Sequence, residues 1–146
     1  MYFASLDYQV TAIDGSRKLI DWAKSHYDDV IDWRCMTFKQ TLFQGWCKCF
    51  TGIWACASLL HVPYTELPEL IEGLLDMLTD DGVFYVSFKY GNSERVKDGR
   101  FFCDINEVRW ETLKQKITSE FKDQTWLTTD QRADRNEQWF NIIIEI

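Results

Sequence analysis

The sequence predicts an α/β domain built as a three-layer sandwich, with a mainly parallel sheet and a C-terminal antiparallel hairpin. Three observations carry this. Strand and helix signals alternate along the 146 residues. Two runs, Gly52 to Leu60 (GIWACASLL) and Val83 to Phe88 (VFYVSF), are continuously apolar, as expected of strands buried on both faces. Two strand-like segments then close the chain around a polar turn.

The elements follow in order. Tyr8 to Asp14 reads as a buried strand. Ser16 to Tyr27 reads as a helix, with Ser16 as N-cap and Leu19, Ile20, Trp22 and Ala23 at helical spacing. Residues 30–38 read as a short strand and 39–51 as a turn-rich connection. The strand from Gly52 is broken by Pro63. Thr65 to Leu78 has its leucines on one side, with Thr65 as cap and Pro68 in the first turns, where a missing N–H matters least. Asp80-Asp81-Gly82 reads as a turn, Val83 to Phe88 as a strand, 89–104 as a charged loop and 106–121 as a helix. Strands at 125–130 and 138–146 form the hairpin. No repeat, low-complexity tract or linker interrupts the pattern, so a single domain over 1–146 is expected.

Composition narrows the function classes. Hydrophobic content of 46% and aromatic content of 16% are ample for a core. A net charge of −7 disfavours non-specific binding to nucleic acid or to anionic membrane. No stretch approaches the roughly 18 apolar residues of a membrane helix, and no signal peptide opens the sequence. Five cysteines, an odd number, suit a reducing cytoplasm better than a disulfide framework. Cys47-Lys48-Cys49 has no second pair, so no metal site is expected; Cys35, Cys56 and Cys103 read as small core hydrophobes. The seven tryptophans fall at buried phases and read as core or interface anchors.

Asp14 is the most pointed signal. In doubly wound nucleotide-binding folds a strand-end acid grips ribose hydroxyls about 20 residues after a glycine-rich loop. None of the seven glycines forms a Gly-x-Gly, so the sequence carries the acid without the loop. The alternative reading of Asp14 is a turn former.

Four segments together resemble the class I S-adenosylmethionine-dependent methyltransferases, closest to the small bacterial, tellurite-resistance-like branch. They are YFASLDYQVTAIDGS, GIWACASLLHVP with its following helix, LTDDGVFYVSFKYG, and WLTTDQRADRNEQWFNIIIEI. The resemblance implies a Rossmann-like methyltransferase sandwich, truncated at its N-terminus and beginning inside the helix after the cofactor loop. It implies that the first strand, normally between those ending at Asp14 and Ala57, is missing, leaving two facing unpaired edges.

The resemblance also assigns roles. Asp14, Gly15, Ser16, Thr37, Phe38, Ala57 and Ser58 fall where the family binds S-adenosylmethionine. For Met36 and Phe38 core packing is the preferred reading over an adenine contact. His61 is the one candidate general base, or else a structural donor to a nearby carbonyl. Lys89 and Tyr90 fall where the family shapes its acceptor pocket. Arg132 and Arg135 read as binders of an anionic acceptor or as surface partners of Asp130, Asp134 and Glu137.

Two function classes follow. The first is a methyltransferase-derived domain without normal S-adenosylmethionine-dependent activity, acting as an oligomeric or partner-binding protein. The second is an active methyltransferase on a small-molecule acceptor, its cofactor loop supplied by another chain or segment. At best weak cofactor binding is expected. So is a homodimer through the aromatic stretch Phe43 to Trp54, with Trp46 and Phe50 as anchors.

Overall fold

The computed structural model describes residues 2–27, 30–132 and 136–146. It divides into two compact units, Met1–Gly45 and Trp46–Ile146.

The first unit opens with a 3-10 turn, Ala4–Leu6, closed by Asp7 in the left-handed region; the helical start implied by the resemblance is reduced to this turn. Strand β1 (Val10–Asp14) leads into helix α1 (Arg17–His26). The Ser16 hydroxyl accepts the Leu19 N–H at 3.4 Å, capping α1. Strand β2 (Ile31–Cys35) runs parallel to β1, with Val10 opposite Ile31 and Asp14 opposite Cys35, so the two strands end together. A one-turn helix, α2 (Phe38–Thr41), starts the connection read as turns. Thr37 and Gln40 form its capping box, each side chain serving the other's backbone N–H. Helix α1 buries Ile20 and Ala23, but Leu19 and Trp22 are exposed. The stripe on α1 is thus narrower than its spacing suggested, and Trp22 lies over its own last turn, stacked on His26 at 4.3 Å.

The second unit contains β3 (Phe50–Ala55), a 3-10 turn at Leu59–His61, α3 (Leu67–Leu75), β4 (Leu78–Lys89), β5 (Glu94–Lys97), β6 (Arg100–Cys103), α4 (Glu107–Lys114), β7 (Lys122–Thr129) and β8 (Gln138–Glu145). Four strands form a sheet in the order β3-β4-β8-β7. Strand β4 is parallel to β3, and β8 is antiparallel to both β4 and β7. Three strands therefore share one direction and β8 alone reverses, as the closing hairpin requires.

Period-two alternation sorts this sheet into two faces. Phe84, Val86 and Phe88 on β4 and Phe140, Ile142 and Ile144 on β8 are buried, as are Leu67, Leu70, Ile71 and Leu74 of α3 and Trp110 and Leu113 of α4. The opposite face carries Trp54, Tyr85 and Trp126. Trp54 stacks on Tyr85 at 4.0 Å, yet is 58% exposed. Burial of β3 and β4 on both faces is thus corrected to burial on one. The physical reason is position: β3 is an edge strand among the described residues, and of its six residues only Ala55 is buried. Exposure of Trp22, Trp54 and Trp126 likewise corrects the uniformly buried phase read for the tryptophans, and Cys56 is exposed rather than a core residue.

Three further readings change. Asp80 to Gly82 lies inside β4 as a register break, with Phe50 opposite Leu78 but Gly52 opposite Val83. A Cβ on Gly82 would come within 2.7 Å of the Leu78 Cβ and 2.8 Å of the Thr79 carbonyl oxygen, so the kink needs glycine. The charged loop is a hairpin of β5 and β6. Helix α4 ends at Lys114, and a Glu72 carboxylate on α3 accepts bonds from Thr118 and Ser119 just beyond it.

Candidate functional site

In the first unit the parallel register brings two groups of site residues to one strand edge. The Met36 N–H donates to the Asp14 carbonyl at 3.0 Å, which carries the β2 exit past the end of β1. Asp14 Oδ1 accepts the Ser16 N–H at 2.6 Å. One carboxylate oxygen thus shapes the strand-to-helix turn. Oδ2 has no hydrogen-bond partner among the described residues. The Thr37 hydroxyl accepts the Gln40 N–H at 3.4 Å and donates to the Gln40 side chain at 3.2 Å, so its proton and one lone pair are engaged in capping α2. Phe38 opens that helix. A Cβ on Gly15 would stand 4.0 Å from the Thr37 methyl, ordinary contact that leaves room for a side chain.

In the second unit Ala57 and Ser58 follow β3. Ala57 adopts φ +49°, a conformation that L side chains rarely take and that stores about 1 kcal/mol or more. Its N–H donates to the buried Ser87 hydroxyl at 2.9 Å, which holds this bend against β4. His61 Nδ1 lies 2.7 Å from the Phe101 carbonyl oxygen. A carbonyl only accepts, so Nδ1 carries the proton and Nε2 is left as the basic nitrogen. The ring meets Phe102 edge-on at 5.0 Å.

Lys89 and Tyr90 follow at the end of β4. Lys89 Nζ donates to Glu137 at 2.6 Å and lies 5.1 Å above the Phe102 ring. The Tyr90 hydroxyl donates to Glu107 at 3.0 Å, and that bond pushes its pKa up. Arg132 pairs with Asp130 through two bonds, at 2.9 and 2.6 Å, and holds that carboxyl well below its usual range. Arg135 lies outside the described residues.

The fold thus groups Asp14, Ser16, Thr37 and Phe38 in the first unit. In the second it groups Lys89 with the hairpin that also holds His61. The hairpin is what the sequence reading missed. It borders a cleft of about 690 Å³ lined by Lys89, Lys97, Asp98, Arg100, Phe102, Asn136 and Glu137. A smaller cleft of about 260 Å³ shares Lys89 and Glu137 and adds Tyr90 and Arg95. The signal was present in Asp98-Gly99. Both residues have positive φ, and Lys97 pairs with Arg100 across them, the two-residue turn that Asp-Gly favours. Among the described residues no group of three or more His, Cys, Asp and Glu could hold a metal ion.

Residues 1–86 match the family described as a methyltransferase domain. No curated protein matches the chain. Among solved structures, the fold is similar to Burkholderia thailandensis 1,6-didemethyltoxoflavin-N1-methyltransferase, which holds 1,6-didemethyltoxoflavin and S-adenosylhomocysteine. That likeness covers 99% of this chain and 64% of the other, with a TM-score of 0.75 at 15% identity. A SAM-dependent methyltransferase from Methanosarcina mazei is similar over 99% of this chain and 84% of its own, with a TM-score of 0.76 at 14% identity. An S-adenosylmethionine dependent methyltransferase from Mesorhizobium loti gives 94%, 80%, 0.68 and 11% for the same quantities. The chain spans less than two thirds of the Burkholderia enzyme's length. At these identities the likeness is one of fold, and the fold is Rossmann-like.

Proposed function

Because the chain belongs to the methyltransferase-domain family, we propose that it supplies the ribose-side acid and the acceptor-side loops of an S-adenosylmethionine site. On its own it acts as a partner-binding domain rather than a complete enzyme. The observation that carries this is the pair of open strands: β3 is an edge of its sheet, and β1 pairs only with β2 among the described residues. A strand added to either edge would satisfy the unpaired N–H and C=O groups that edge presents.

The residues present fit the cofactor at one end only. Asp14 would hold the ribose through its second oxygen, with Ser16 fixing the carboxylate. No Gly-x-Gly turn in this sequence offers the backbone N–H groups that the methionine end needs. When bound, S-adenosylmethionine supplies an already activated methyl donor, so the protein's contribution is chiefly alignment.

The second reading is an active methyltransferase on a small-molecule acceptor, completed by another polypeptide segment that brings the first strand and its loop. The cleft beside Lys89 favours it, because a domain kept only for partner binding has no need of an acceptor-sized cavity. His61 Nε2 would then be the proton acceptor. Within the family, the tellurite-resistance-like branch rests on the order of the four segments. We propose cytoplasmic residence from the five free cysteines; among the described residues no helix is long and apolar enough to cross a membrane.

A homodimer remains part of the proposal. Trp46 and Phe50 pack against each other at 5.2 Å, so Trp54 on the open edge strand is the better anchor. Sedimentation equilibrium tests it: a single species at the 17.4 kDa monomer mass would overturn the dimer.

Isothermal titration with S-adenosylmethionine and S-adenosylhomocysteine tests the functional reading. The lone chain should bind no tighter than millimolar, because several charge-assisted contacts of about 1.5–3 kcal/mol each are missing. Micromolar binding that Asp14→Ala abolishes would refute the claim of an incomplete site.

A further inference from the structure

The hairpin tip places two cations, Lys97 and Arg100, directly opposite each other across a two-residue turn. Neither has a hydrogen-bond or ion-pair partner among the described residues. Every other cation lining either cleft is neutralised. Lys89 is paired with Glu137 at 2.6 Å. Arg95 is paired with Asp104, whose side chain is 8% exposed. Like charges facing each other across a strand pair destabilise the hairpin, and Asp98 between them offsets only one. The chain as a whole carries −7, so this concentration of free positive charge runs against the composition. Both cations line the 690 Å³ cleft whose apolar wall is Phe102.

We propose that this cleft takes a small acceptor bearing an oxyanion group, a carboxylate or a phosphate, held between Lys97 and Arg100 with its apolar body toward Phe102. The proposal rests on the reading of the cleft as the acceptor side of a methyltransferase site. It assigns the anion-binding role to the β5–β6 hairpin. Arg132, the other candidate for that role, is already engaged by Asp130 on two sides. The Phe102 ring lies under Lys89 at 5.1 Å and Arg95 at 5.7 Å, contacts that hold the ring in place as the apolar wall of the cleft.

The test needs no cofactor, so it is separable from the cofactor titration. Acetate and inorganic phosphate are titrated into the full chain, with acetamide as the neutral control, while backbone amide resonances are followed. Saturable shifts confined to residues 96–102 are expected for at least one anion, which identifies the preferred group. Acetamide should bind at least tenfold more weakly. Lys97→Ala with Arg100→Ala should abolish the shifts. Both side chains are exposed at a turn, and far-UV circular dichroism checks that the fold persists. Independently of any variant, raising sodium chloride from about 20 to 200 mM should weaken anion binding severalfold. An equal response to acetamide, shifts that survive the double variant, or salt-independent binding would each overturn the proposal. So would the absence of saturable shifts with both anions. Failure of the cofactor titration alone would leave anion binding intact.

Discussion

The two units divide the burden of folding unequally. Among the described residues the first buries three apolar side chains, Ile20, Ala23 and Ile31, and all five residues of β1 are only half-buried. The second buries Phe84, Val86, Phe88, Phe140, Ile142 and Ile144 at 1% exposure or less across two neighbouring strands. A two-strand sheet with one ten-residue helix and a single helical turn cannot bury enough apolar surface to stand alone, whereas a four-strand sheet backed by two helices can. Asp14, the proposed ribose-binding acid, sits in the weaker unit, and the cleft proposed for the acceptor lies in the stronger. The contrast shows that the residues carrying most of the apolar burial and the proposed ribose-binding acid lie in different units.

The largest expected effect probes this contrast. Phe84→Ala should lower unfolding free energy by about 3–5 kcal/mol in denaturant titration. Ile20→Ala should loosen the first unit's amides without moving the midpoint reported by β8 amides. A shared shift of both would show that the units unfold as one.

Glu72 offers a smaller effect within the stronger unit. Burial pushes its carboxyl up, but the bonds from Ser119 and Thr118 outweigh that and hold it below the usual range. The stabilisation is therefore present above the unfolded pKa of about 4.3 and is lost as pH falls through the lower folded value. Glu72→Gln should lose about 1–3 kcal/mol at pH 7, measured by urea unfolding, and the gap to the parent should close on acidification. A gap that is constant from pH 7 to pH 3 would contradict the assignment.

Smaller still is the cap on α1. Ser16→Ala should remove about 1 kcal/mol, visible as faster amide exchange in α1 and not in α3. Chemistry rather than stability gives the smallest perturbation. Burial pushes the Cys103 thiol up to about 11, whereas Cys47, Cys49 and Cys56 are exposed. Iodoacetamide at pH 8 should label those three and spare Cys103, as read by peptide mass spectrometry. Labelling of Cys103 at a matching rate would mean that the stronger unit opens readily.

Much of this was legible in the sequence. The order of strands and helices, the Ser16 cap and the closing hairpin all follow from local periodicity and capping chemistry. Asp14 could be placed at a strand end for the same reason. What local pattern could not supply was sheet neighbourhood. An apolar run such as GIWACASLL looks the same in a central strand and at an edge, and only the strand order tells them apart. Thr37 illustrates a second limit: the Thr-x-x-Gln spacing for a capping box was present, but the resemblance drew attention to a cofactor contact. The β5–β6 hairpin was hidden by its charge. Lys97 and Arg100 made the segment read as solvated loop, although Asp98-Gly99 between them is a strong turn signal.

Amide hydrogen exchange on the isolated chain tests the central contrast most directly. The account expects β4 and β8 amides to be protected to the level of global unfolding, while β1, α1 and β2 amides exchange orders of magnitude faster through local opening. Equal protection across β1 and β8 would contradict it, because the first unit would then be as stable as the second despite its smaller core.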